Sequence, residues 1–131
     1  MNQEDKDLLF VDLCARLPYH VKVKVWLEDG DTEEGFLDLE YNYADVLLDA
    51  FYYNKIKKIK PYLRPMSSMT EEEKIESLDF AWEDDYGRLA SYNENIPKYI
   101  NWLNAHHFDY RGLIERGLAI EVTEENNPYK K

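Results

Sequence analysis

The sequence predicts an α+β domain, and three observations carry that expectation. An apolar repeat of three to four residues occupies the first seventeen positions, a strict two-residue alternation follows it, and helical signals return after residue 66. No internal repeat or low-complexity linker divides the 131 residues. One domain over 1–131 is therefore expected, with a helix and a sheet over 1–65, a helical part and last strand over 66–122, and a polar tail over 123–131.

Residues 4–16 read as a helix. Leu9, Leu13 and Leu17 share one face with Phe10 and Cys14 beside them, and Asp5, Asp12 and Arg16 are free to face water. Pro18 stops this helix, because it lacks a donor and biases the residue before it away from the α region. Val21, Val23, Val25 and Leu27 then alternate with Lys22, Lys24 and Trp26, the pattern of a half-buried strand. Asp29-Gly30 is a hairpin signal. Strands are expected over Gly35–Tyr41, Val46–Tyr53 and Lys55–Leu63, joined by short connections as an antiparallel meander. Such a meander buries one face by curling into a small barrel.

Thr70 with Glu73 matches a capping box and opens a short helix. Residues 83–95 carry no period and read as a loop. Ile96–Leu103 is helical, with Pro97 tolerated in its first turn. Gly112–Arg116 suits one more helical turn capped at Gly117, and Leu118–Val122 a last strand. The tail is expected to fray.

Lys+Arg number 16 against 27 Asp+Glu, a net charge of -11. Such a chain repels a phosphate backbone unless its few bases are gathered in one place. One cysteine, Cys14, excludes an internal disulfide and suits a reducing compartment. No apolar run approaches the roughly 18 residues of a membrane helix, and the acidic start lacks signal-peptide character. A soluble, cytoplasmic protein is expected.

Three segments carry a resemblance: LCARLPY at 13–19, KPYLRPMSSMTEEE at 60–73 and WLNAHHFDYRGLIE at 102–115. Together the chain resembles a family of small proteins encoded by phages and prophages of Bacteroides-type gut bacteria. The resemblance implies a phage-linked protein acting inside the bacterial host, and supplies no activity or site residues. Residues 19–50 also resemble the first motif of Sm-like barrels, which implies a helix followed by a barrel meander. Tyr41 and Asp45 stand where that family carries its RNA-binding Asp and Asn.

Lys55, Lys57, Lys58, Lys60 and Arg64 place five of the sixteen bases within ten residues, flanked by Tyr52, Tyr53 and Tyr62. Positive charge beside stacking surface is the combination that holds a base and its phosphate. The plainer reading is a lysine-decorated edge strand, which keeps a sheet from pairing with strangers. His106, His107, Asp109 and Arg111 form a second candidate. A His–Asp pair suits acid–base work, but no nucleophile or phosphate loop accompanies it, and a helix end capped by histidine with Arg111 on Asp109 accounts for it as well. Adjacent histidines diverge on a regular backbone, so no metal site is expected. Acidic runs at Asp29/Asp31, Glu71–Glu73 and Glu83–Asp85 read as solvated loops and helix starts. Cys14 reads as buried on its helix face. Trp82 and Trp102 read as core or interface anchors, whereas Trp26, outward between lysines, is the tryptophan suited to a partner.

The function expected is non-enzymatic binding that occupies or sequesters a host component, either a host protein or a small anionic signalling nucleotide. No cofactor is implied. A single-stranded nucleic-acid binder is the second expectation, disfavoured by the charge balance, and a hydrolase using the His–Asp pair the third. The aromatic content, 11 Tyr, 3 Trp and 5 Phe, further suggests a homodimer, with Leu118, Ile120 and Val122 as the edge that pairs inside the barrel or across a two-fold axis.

Overall fold

A computed structural model describes residues 2–37, 43–53, 55–77 and 95–129. The fold is α+β, with an N-terminal helix followed by a mixed sheet and further helices. The helices are α1 (Gln3–Arg16), α2 (Tyr43–Phe51), α3 (Glu71–Ser77) and α4 (Asn95–Ala105). The strands are β1 (Lys22–Leu27), β2 (Thr32–Phe36), β3 (Ile56–Pro65), β4 (Phe108–Asp109) and β5 (Ile120–Glu121). Single 3₁₀ turns follow α1 at Leu17–Tyr19 and β3 at Met66–Ser68.

The sheet does not close into a barrel. Its order is β2-β1-β3-β4, with β5 also pairing β3. β1 is antiparallel to β2 and β3, as a meander requires, but β4 and β5 run parallel to β3. The strand expected over Val46–Tyr53 is instead α2. Leu47 is buried there, with Val46, Ala50 and Phe51 packed beside it. The spacing 46, 47, 50, 51 is a helical stripe, and a short apolar run does not separate helix from strand by itself. The strand expected over Gly35–Tyr41 begins earlier, at Thr32, and residues 38–42 lie outside the described residues. Gly30 takes φ +92° in the hairpin turn, a conformation that favours glycine, while Leu27 N–H donates to Asp31 O at 2.8 Å.

α1 and α2 cover one side of the sheet. Leu9, Leu13 and Leu17 from α1 and the following turn meet Val21, Val23, Val25, Ile59 and Leu63 in the main core. Asp12 and Arg16, expected at the surface, are both fully buried. Arg16 Nε donates to Asp12 at 2.7 Å, and Arg16 Nη2 reaches the Phe108 carbonyl at 2.7 Å. The i,i+4 spacing that reads as a solvated pair here ties α1 to β4. Cys14, expected in the core, is exposed, because it lies off the Leu9–Leu13–Leu17 stripe.

The capping box forms as expected. Thr70 N–H donates to Glu73 at 3.0 Å, and Glu73 N–H to the Thr70 hydroxyl at 3.1 Å. At Gly117, φ is +75°, and Gly117 N–H→Ile114 O with Leu118 N–H→Leu113 O closes the preceding turn as a Schellman motif. Most of the 83–95 loop lies outside the described residues, and Asn95 already opens α4. Trp102 is buried with Leu103 and Phe108 in a smaller second core; Trp82 lies outside the described residues.

The tail does not fray through Tyr129. One residue past the last β1–β3 pair, Val23↔Pro61, the Tyr129 hydroxyl accepts from Lys22 N–H at 2.9 Å. It donates to Tyr62 O at 2.7 Å. A side chain thus supplies the link that a backbone hydrogen bond would otherwise make. The edge expected at Leu118–Val122 is occupied inside the chain, with Val122 N–H on Leu63 O at 2.8 Å. Among the described residues, no helix is long and apolar enough to cross a membrane.

Candidate functional site

The site grows from the alternation of β1. Its valines face the core, so Lys22, Lys24 and Trp26 face the opposite side of the sheet. Pairing sets their neighbours: Lys24 lies opposite Lys60 and Glu34, and Trp26 opposite Lys58 and Thr32. Lys58 Nζ sits 4.3 Å from the centroid of the Trp26 ring, and Lys24 Nζ 5.3 Å from it. Burial and the nearby Lys58 ammonium lower the pKa of Lys60. Like charges directly opposite on neighbouring strands destabilise a sheet. Yet Lys24 and Lys60 hold that arrangement.

The arginines are engaged. Every arginine among the described residues has a carboxylate partner: Arg16 and Arg111 on Asp12, Arg64 on Glu73 and Arg116 on Asp5. Lys74 pairs with Glu71. By contrast, no ion pair forms at Lys24, Lys58 or Lys60 among the described residues. Glu34, opposite Lys24, lies 4.0 Å from Lys22 and accepts from the Tyr62 hydroxyl, so Lys24, Lys58 and Lys60 leave this face with an excess of positive charge among the described residues.

The sequence cluster divides accordingly. Lys58 and Lys60 belong to the face. Lys57 falls at the β1–β3 bulge, between the paired Lys58 and Ile56. Lys55 lines a separate apolar cavity of about 360 Å³ between β1, β2 and α2, with Nζ 6.0 Å from the Tyr53 ring. Tyr52 and Tyr53 are exposed beyond the end of α2. Tyr62 is buried, and its hydroxyl donates to Glu34. Burial and that bond push its pKa up to about 12. Arg64 is not available to a ligand: both its terminal nitrogens hold Glu73, at 2.6 and 2.7 Å, and its guanidinium lies 4.2 Å from the Phe108 ring centroid. β4 and β5 pair β3 only over Tyr62–Pro65, so along Ile56–Lys60 β3 pairs β1 alone among the described residues, and the plainer edge-strand reading fits the lysines there as well. Lys24 was the missed member. Its signal was present in the alternation that placed it beside Trp26, but its pairing with Lys60 joins residues far apart in the chain.

The histidine cluster does not assemble as an acid–base pair. Asp109 is buried and accepts from the Leu113 and Ile114 N–H groups, both at 2.9 Å. Arg111, expected on Asp109, reaches Asp12 instead at 2.8 Å. His106 Nδ1 lies 3.4 Å from Glu73, with its ring 4.3 Å from that of Trp102. His107 has φ +64° and stacks on Tyr129, with ring centroids 3.6 Å apart. Burial, and then the charges of Arg16, His106 and Arg64, lower its pKa to about 3. Among the described residues, no group of three His, Cys, Asp or Glu side chains is placed to hold a metal.

These shifts give stability a defined pH dependence. The unfolded chain protonates His107 near its ordinary value of 6.5, while the fold keeps it neutral to about 3. The stability it contributes is complete above 6.5 and is lost as pH falls toward 3. Glu73, held down to about 2 chiefly by its Arg64 hydrogen bonds, adds a loss below its ordinary 4.5. Urea midpoints should therefore fall from pH 7 to 3, and His107→Gln should flatten the part between 6.5 and 4.5. An unchanged slope in that variant would mean that His107 does not set this limb.

Fold and face together define an α+β domain with a basic, aromatic sheet surface on the side away from α1 and α2. No protein-family model, curated protein or solved structure matches the chain.

Proposed function

We propose that the protein is a non-enzymatic binding protein that sequesters an anionic nucleotide inside a bacterial host, the phage-linked setting implied by the sequence resemblance. The observation that carries this reading is the group Lys24, Lys58 and Lys60 on the sheet face around Trp26, in no ion pair among the described residues. A nucleotide matches both parts of it. The indole offers a stacking plane for the base, worth about 1–3 kcal/mol, and Lys24, Lys58 and Lys60 offer charge to its phosphates. The ammonium groups now over the ring move onto phosphate as the base arrives. An enzymatic role has less support, because the Asp109 carboxylate caps a turn and His107 packs on Tyr129.

A nucleotide panel followed by thermal shift tests the reading. Ligand at 100 times its dissociation constant stabilises by about 2.7 kcal/mol, or roughly 5–11 °C. Lys60→Thr separates function from structure. It relieves the repulsion with Lys24, so the free variant should be as stable as the parent or more stable, by about 0.2–1 kcal/mol. The ligand-induced shift should shrink severalfold. A panel with no shift, or a variant that binds as well as the parent, would overturn the proposal.

A further inference from the structure

The positive surface does not stop at the sheet face. Lys58, whose ammonium lies over Trp26, also lines a cleft of about 190 Å³ together with Lys57, Lys6 from α1 and Phe51 from α2. Lys6 and Phe51 in turn line a second cleft, of about 280 Å³, whose wall carries Phe10, Tyr52 and Asp7, the Asp7 carboxylate accepting from Gln3. Shared residues therefore make one continuous path, from Trp26 across Lys58 and Lys57 to Lys6 and then to Tyr52. Lys6 and Lys57, like Lys24, Lys58 and Lys60, form no ion pair among the described residues. Tyr52 is 72% exposed, so its ring is open to stacking.

From this path we infer that the ligand of the sheet face is a single-stranded oligonucleotide, with one base on Trp26, another on Tyr52 and the intervening phosphates on Lys58, Lys57 and Lys6. The inference rests on the nucleotide reading above and extends it. Aromatic platforms separated by a basic track are how sequence-tolerant single-strand binders work, and paired bases cannot stack on side chains in this way. Of the overall charge of -11, exposed carboxylates farther away than about 8 Å are largely screened at physiological salt; nearer ones are Asp7, which accepts from Gln3, and Glu34, which accepts from Tyr62. Five lysines, Lys6, Lys24, Lys57, Lys58 and Lys60, set the expected salt response. A single strand neutralised at five phosphates gives a slope of about -3.5 in log affinity against log salt. That is roughly a hundredfold loss between 50 and 200 mM.

Fluorescence anisotropy with labelled dT8 and rU8, and competition by dTMP and by a dA8·dT8 duplex, tests this on the full chain. The octamers should bind at least tenfold more tightly than dTMP, with the steep salt loss above, and the duplex should compete poorly. Tyr52→Ala and Lys6→Gln, both remote from Trp26, should weaken the octamers severalfold and leave dTMP unchanged, with circular dichroism checking the fold of each. Equal affinity for dTMP and octamer, equal competition by duplex, or loss of dTMP binding in the two variants would overturn the single-strand inference while the nucleotide reading stands. Binding of neither dTMP nor octamer at 50 mM salt would overturn both.

Discussion

Asp12→Ala is expected to destabilise the fold by about 3–5 kcal/mol, the range for breaking a buried ion pair by removing one partner. Asp12 accepts from Arg16 Nε at 2.7 Å, Arg16 Nη2 at 3.1 Å and Arg111 Nη1 at 2.8 Å. Both Asp12 and Arg16 are fully buried, so the alanine variant leaves a guanidinium without its counter-charge in the core. Arg16 also holds the Phe108 carbonyl, and its displacement would loosen the start of β4. The cost belongs to the unpaired charge rather than to the pair. Asp12→Leu combined with Arg16→Met should therefore recover much of the loss. Urea unfolding of the three proteins measures this directly. A loss below about 1 kcal/mol in Asp12→Ala would show that water reaches Arg16 and that the pair is not sealed in the core.

Tyr129→Phe has the second largest expected effect, about 1–3 kcal/mol. The ring is retained, and with it the stack on His107 and the edge contact with Phe36. Only the hydroxyl is lost, which strands Lys22 N–H and Tyr62 C=O where β1 and β3 separate. Hydrogen exchange supplies the local readout, since the Lys22 amide should exchange faster in the variant than in the parent. Unchanged exchange at Lys22 would mean that another group takes over the bridge.

The candidate site was partly legible in the sequence. Positive charge beside aromatic residues over 52–64 pointed toward β3, and the alternation of β1 pointed Trp26 outward beside Lys22 and Lys24. Joining the two required the register of β1 on β3, which brings Lys24 to Lys60 and Trp26 to Lys58. The same register removed members. Arg64 lies on the strand that carries the lysines, but Glu73, held in place by the Thr70 cap, reaches it from α3. Asp109 had looked like a partner for histidine because the two are close in sequence. In the fold, its carboxylate instead satisfies the N–H groups of a turn.

Signals that act over a few residues were enough for α1, β1, the Asp29-Gly30 turn, the capping box of α3 and the glycine stop at Gly117. Each depends on periodicity, a cap or a backbone preference that neighbours in the chain decide. Tertiary structure decided that 43–51 is a helix, that the sheet stays open, and that Asp12 and Arg16 turn inward. For the buried pair and the sheet the partner is remote: Arg111 lies 99 residues from Asp12, and Tyr129 lies 107 from Lys22. A short apolar run or an i,i+4 ion pair is compatible with more than one environment. The choice is made by whatever must be buried against it, and here that includes the charge of Arg16 and the unpaired backbone where β1 and β3 part.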